Sequence, residues 1–411
     1  MKLRPGQLLC IAAILLVGLN LRPALAVISP LIETIRAATG LSYQAMGWVT
    51  GIPIMAMGVL ALAGSSVYRL GMRRGVAIGI LLVFVACLLR LLAADPAWLM
   101  GSALLAGIGI GITQTLVPGF IKQHFPQNID TLMALYVSMI MGGAAMSAAG
   151  TPVLLHSLAW QPALAMWAVP ALLGLALWLF ATRSFRDPAQ APATAGTPAS
   201  TAVAGSAQAA SATLRPWRHA RAWLLAGLFC ASGSCYTLAL AWLAPYYIEL
   251  GATPQRAGLL LAVLTLFEVA AGFLVAWLAP RNPDRRYLLA ACTLLASLGY
   301  VMLAWMPLTA PWLIIAILGL GIGALFPLTL ILAMDHASVP RNAGVLAAFV
   351  QGIGYLVAGL LPFAAGQLRD SLGSLESAWS LMAGVVLLSL ILIARASPAS
   401  AKAFDRHCRQ G

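Results

Sequence analysis

Twelve apolar runs of roughly bilayer-crossing length, separated by short polar breaks, decide what this 411-residue chain can become. They fall at about 8–29, 44–67, 75–93, 97–119, 131–154, 162–182, 221–244, 257–278, 287–306, 311–333, 343–364 and 376–395. Runs of about 20 residues read as helices, not as the alternating ten-residue strands of a barrel. Composition excludes the soluble alternative, because 61% of the residues are apolar and 9% charged, whereas a soluble domain carries about 25% charged residues. The expected surroundings are a lipid bilayer, and the expected fold class is an all-α polytopic membrane protein.

A net charge of +13 does not point to nucleic acid, because the basic residues sit in short clusters between the apolar runs. An even number of spans puts both termini on one side. That side holds nineteen Lys and Arg residues, against four (Arg36, Arg90, Arg256 and Arg369) on the other. The positive-inside rule then makes both termini cytoplasmic. Lys2, Arg4, an apolar run and Ala24-Leu-Ala26 imitate a secretory signal. Arg22 and Pro23 just before the supposed cleavage site suit a peptidase poorly, so retention as the first span is expected. The six cysteines fall singly with no His at ligand spacing, so neither metal nor cofactor is expected.

The chain repeats itself. Gly40-Leu-Ser-Tyr-Gln-Ala-Met-Gly47 returns as Gly251-Ala-Thr-Pro-Gln-Arg-Ala-Gly258; Arg69, Arg73 and Arg74 return as Arg281, Arg285 and Arg286. Gly107, Gly109 and Gly111 return as Gly319, Gly321 and Gly323, and Pro126-Gln-Asn128 as Pro340-Arg-Asn342. The matches come in order at offsets of 211 to 214, which spans six helices and makes the two copies parallel. Between them lies Pro188 to Thr213, a stretch without charge that reads as a flexible linker. The expected division is an N-terminal six-helix bundle (1–183), a cytoplasmic linker (184–220), a C-terminal six-helix bundle (221–395) and a tail (396–411).

Two charges lie well inside spans, where each costs at least about 2.5 kcal/mol. Arg22 stands between Asn20 and Pro23 in the first span, and Glu268 sits close to the middle of the eighth. A guanidinium offers a planar fork of donors suited to a small anion; the other reading is a side chain that snorkels to the interface. Glu268 either neutralises Arg22 or another donor, or carries a proton, so protons are a candidate partner. Gln114, Tyr136, Tyr236, Gln351 and Tyr355 are further candidates for substrate contact, with interhelical packing as the alternative. Arg69, Arg73, Arg281, Arg285, Asp335 and His336, at the ends of spans on the termini side, are candidate gating residues. No catalytic set assembles at one depth, which argues against an enzyme.

The parallel repeat is that of the major facilitator superfamily, and the loop Gly64-Ser-Ser-Val-Tyr-Arg69-Leu-Gly71-Met-Arg73-Arg74 resembles that superfamily's motif, with Tyr68 where an Asp is usual. Asn20-Leu-Arg22-Pro23, Gly107 to Gln114 with Pro118 and Ile121-Lys122, Phe326-Pro327 through Asp335-His336, and Gln351-Gly352-Ile-Gly354 resemble its cyanate permease branch, which also includes 2-nitroimidazole transporters. The resemblance implies two bundles that rock about a midplane site, moving a small polar or anionic solute such as cyanate by alternating access. It leaves export of flat heteroaromatic compounds as the alternative, for which Tyr236, Tyr355, Phe326 and Trp242 supply stacking surfaces. Asn20, Arg22, Gln114, Tyr236 and Gln351 are expected to face the space between the bundles, and a monomer is the expected functional unit.

Overall fold

The computed structural model describes residues 5–183, 214–282 and 284–410. Among the described residues all regular structure is helical. Twelve helical segments are long and apolar enough to cross a membrane: Gly6–Thr39, Tyr43–Leu62, Met72–Leu92, Pro96–His124, Thr131–Leu154, Trp160–Ala181, Ala220–Glu249, Pro254–Arg281, Arg285–Trp305, Pro311–Asp335, Asn342–Leu372 and Glu376–Arg395. They are called spans 1 to 12 below. Several run past their apolar stretch. The expected first span, 8–29, continues to Thr39, where Gly40 ends it with φ 70°. Most of the expected linker lies outside the described residues. The expected tail is a helix, Pro398–Gln410.

The repeated sequence motifs do repeated structural work. Gly40 and Gly251 both adopt positive φ, which a side chain disfavours, and so each stops the helix before it. Two residues later Ser42 and Thr253 cap the next helix, accepting from the Ala45 and Arg256 N–H groups at 3.1 and 3.2 Å. Five residues further on, Gly47 and Gly258 lie against backbone of the other half, at Pro362 and Ala148 respectively. One motif thus turns the chain, starts a span and lets that span cross to its partner bundle.

Span 2 packs along span 11, and span 8 along span 5. The three glycines of span 4 alternate between neighbours: Gly107 meets Pro53 of span 2, Gly109 meets Gly79 of span 3, and Gly111 meets Met57 of span 2. Those of span 10 alternate likewise, with Gly319 against Leu264 of span 8, Gly321 against Ala296 of span 9 and Gly323 against Glu268 of span 8. Small residues let helix backbones close where lipid gives no hydrophobic drive. The internal symmetry is therefore one of packing, and Glu268 occupies the place that Met57 holds in the N-terminal half.

The halves are joined on the side away from the termini. Ser29 Oγ donates to the Ala241 carbonyl at 2.9 Å, and Asp370 accepts from the Tyr43 and Gln44 N–H groups at 3.1 and 2.8 Å. Tyr43 faces Trp242 with centroids 6.0 Å apart, and Gln255 donates to the Pro152 carbonyl at 3.3 Å.

Candidate functional site

The first span is broken where its sequence demands it. A regular helix ends at Leu19, and a short one resumes over Pro23–Ala26. Pro23 has no N–H to offer the carbonyl four residues back, and its ring crowds that carbonyl. The Leu19 carbonyl turns toward Gly143 of span 5, where a Cβ would overlap it. The break leaves Arg22 immediately ahead of the short helix.

Arg22 is 5% exposed, and its guanidinium carbon lies 5.2 Å from the centroid of the Tyr236 ring, across the divide between the halves. Its charge reaches Tyr136 of span 5, Glu268 of span 8 and Tyr355 of span 11. Four polar atoms in this group are buried without a hydrogen-bond partner: Arg22 Nε, Tyr136 Oη, Tyr236 Oη and Glu268 Oε1. Buried polar groups are almost always satisfied, so a cluster of four points to a polar occupant. Among the described residues no ion pair joins Glu268 to Arg22. Beside the cluster, Phe229, Phe326 and Tyr355 form an aromatic group, with the Phe326 and Tyr355 rings stacked at 29°.

The structure brings together Arg22, Tyr136, Tyr236, Tyr355 and Glu268 of the expected residues. It does not bring Asn20. Expected to face the space between the bundles, the Asn20 amide donates instead to the Leu16 and Pro170 carbonyls, at 2.7 and 2.9 Å, inside the N-terminal bundle. The cause is local: the Asn20 N–H bonds to Val17 rather than Leu16, and the side chain supplies the donor that the Leu16 carbonyl loses. Gln114 and Gln351 are half-buried.

Of the candidate gating residues, Arg285 pairs with Asp335 at 3.0 Å and Arg281 lies over the Trp277 ring at 4.5 Å, both within the C-terminal half, and the Arg73 carbonyl accepts from the Trp178 indole at 3.0 Å. Arg69 is exposed. Tyr68, in the place of the motif's Asp, donates to the Thr115 carbonyl at 3.1 Å. His336 is fully buried; its Nε2 accepts from Arg221 Nε and Nη2 at 3.1 and 3.0 Å while Nδ1–H donates to the Leu332 carbonyl at 2.7 Å. Burial holds the His336 pKa below the usual imidazole value.

The sequence reading passed over one buried charge. Arg90, counted with the basic residues on the side away from the termini, is 1% exposed and donates to the Ala24 carbonyl. The signal was its setting, Leu88-Leu-Arg90-Leu-Leu92, which leaves an arginine within an apolar run.

The profile of the Major Facilitator Superfamily matches residues 11–362. The chain belongs to this superfamily. It is 39% identical to the cyanate transport protein CynX of Escherichia coli K12, over 94% of this chain and 96% of that one. It is 31% identical to the 2-nitroimidazole transporter of the same organism, over 94% of each. Of solved structures, a D-xylose–proton symporter superposes with a TM-score of 0.71 at 18% identity, covering 94% of this chain and 97% of its own. The nucleoside transporter NupG does so with 0.74 at 11%, covering 94% and 99%; both likenesses speak for the fold. This superfamily member is a multi-pass membrane transporter of small solutes and not an enzyme.

Proposed function

We propose that this transporter carries a small, flat, monovalent anion such as cyanate, bound by Arg22 between the two halves and exposed to each side in turn. The observation that carries the reading is the cluster of four buried atoms, unpartnered among the described residues, around a guanidinium that no carboxylate there is paired to. An anion accepting from Arg22 and from the Tyr136 and Tyr236 hydroxyls satisfies the donors and supplies the missing charge. Similarity to CynX supports the substrate class. The bridges between the halves on the side away from the termini support a state whose exit leads to the termini side. The charge census supports that side as the cytoplasm, and the protein acts as a monomer in a bacterial inner membrane.

A second reading has its own observation. The aromatic group of Phe229, Phe326 and Tyr355 beside the cluster offers ring faces to a flat heteroaromatic solute, and similarity to the 2-nitroimidazole transporter favours it. Counterflow in proteoliposomes separates the two. Labelled cyanate exchanging saturably, with labelled 2-nitroimidazole excluded, supports the anion reading; the reverse result replaces it.

A further inference from the structure

We propose that Arg90 is a positioning residue for Arg22, holding from behind the broken stretch of span 1 that presents Arg22 to the substrate. The proposal rests on the reading of Arg22 as the anion site.

The broken stretch lacks one backbone bond at the point where Arg90 arrives. The Val27 N–H donates to the Pro23 carbonyl at 3.1 Å and the Ile28 N–H to the Leu25 carbonyl at 3.4 Å. These bonds step over the Ala24 carbonyl, and the Arg90 guanidinium supplies its donor. A carbonyl left bare in an apolar interior is costly, so this bond fixes where the short helix Pro23–Ala26 sits. Arg22 is the residue immediately before that helix.

The two arginines approach from different sides. Arg22 reaches across to Tyr236 in the other half. Arg90 comes from the end of span 3, which borders spans 4 and 6 within the N-terminal bundle. Among the described residues Arg90 Nε and Nη1 have no partner and no ion pair neutralises the group. A side chain kept only to fill this space would be cheaper without its charge. What the guanidinium adds is a strong, charge-assisted donor at a backbone point two residues from the substrate-binding side chain. It also places positive charge behind the site without occupying it.

The test uses the full chain, with Arg90→Met, which removes the donor and the charge, and Arg90→Lys, which keeps one charged donor. Hydrogen–deuterium exchange in nanodiscs reads the segment 20–31, and counterflow of labelled cyanate in proteoliposomes reads binding. Arg90→Met is expected to speed exchange in 20–31 while leaving spans 2 and 4 as in the wild type. It is also expected to raise the KM for cyanate roughly tenfold with maximal rate retained, the scale of one hydrogen bond from a charged donor. Arg90→Lys should recover part of both. Wild-type exchange in 20–31, an unchanged KM despite a loosened segment, or loosening throughout the N-terminal bundle in both variants would each overturn the proposal. A wild-type protein that carries no cyanate sinks the Arg22 reading alone, and the exchange measurement then decides by itself whether Arg90 holds the segment.

Discussion

The Arg22 guanidinium and the Tyr236 ring face one another at 5.2 Å from opposite halves of the molecule. The contact is a cation–π pair that leaves the N–H groups of Arg22 available, and Nε has no acceptor among the described residues. The cation therefore sits between the two halves, held by a contact that does not use up its donors.

Removing Arg22 should cost function and not the fold. Arg22→Ala takes away no protein hydrogen bond at Nε, so thermal unfolding in detergent should stay near that of the wild type while saturable cyanate counterflow is lost. Arg22→Lys should keep a weakened uptake, because a point charge replaces a bidentate fork. Normal saturable uptake by a well-expressed Arg22→Ala protein would remove Arg22 from the site.

Gly143 and Gly142 make a matched pair. A Cβ at Gly143 overlaps the Leu19 carbonyl that Pro23 displaces, whereas one at Gly142 meets nothing within 4 Å. Gly143→Ala should destabilise by about 1–3 kcal/mol through overpacking, and Gly142→Ala should be neutral or stabilising by up to about 1 kcal/mol. Thermal unfolding of the two variants checks the difference, and equal midpoints would show that the break in span 1 does not depend on this close approach.

The termini side carries a pH-dependent tie. His336 must be neutral to accept from Arg221, and Arg221 also donates to the Arg395 carbonyl and Ser400 at the start of the tail helix. Asp335 beside it is engaged by Arg285. Burial lowers the folded-state pKa of His336 from its ordinary 6.5, so below that value the unfolded or released state binds more protons. Attachment of the tail is then complete above about pH 6.5 and weakens as pH falls through the window down to the lowered pKa. Protease sensitivity of residues 396–411 should rise on acidification in the wild type. It should not in His336→Gln, whose amide does not titrate. An equal acid response in both would place the sensitivity elsewhere.

Span count and the parallel repeat, glycines included, were legible in the sequence because each is carried by length or spacing, which a bilayer makes nearly decisive. Arg22 and Glu268 were legible because charge at depth is rare. The role of Asn20 was not: the residue that caps a broken helix and the residue that contacts a substrate are the same type at the same place. What separates them is which carbonyl has lost its donor. Arg90 was passed over for a related reason. Nearness to a span's end says nothing about whether the protein closes over it, and here the short helix of span 1 does.

Glu268 is the group proposed to couple transport to protons. It is 6% exposed, its Oε1 has no partner, and no ion pair ties it to Arg22 among the described residues. A structural counter-charge would be paired, and removing it would strand a buried cation at a cost of about 3–5 kcal/mol. An unpaired carboxyl within reach of Arg22's charge fits a group that gains and loses a proton as the site opens to either side. Glu268→Gln mimics the neutral acid. It should therefore abolish accumulation driven by a pH gradient, preserve exchange of substrate for substrate, and leave thermal unfolding within about 1 kcal/mol of the wild type, since no ion pair is broken. Both fluxes are measured in the same reconstituted preparation. Gradient-driven accumulation that survives in Glu268→Gln would show that this carboxyl is not the proton carrier. Loss of exchange together with stability would instead make it a structural partner of Arg22, paired in a state other than the one described.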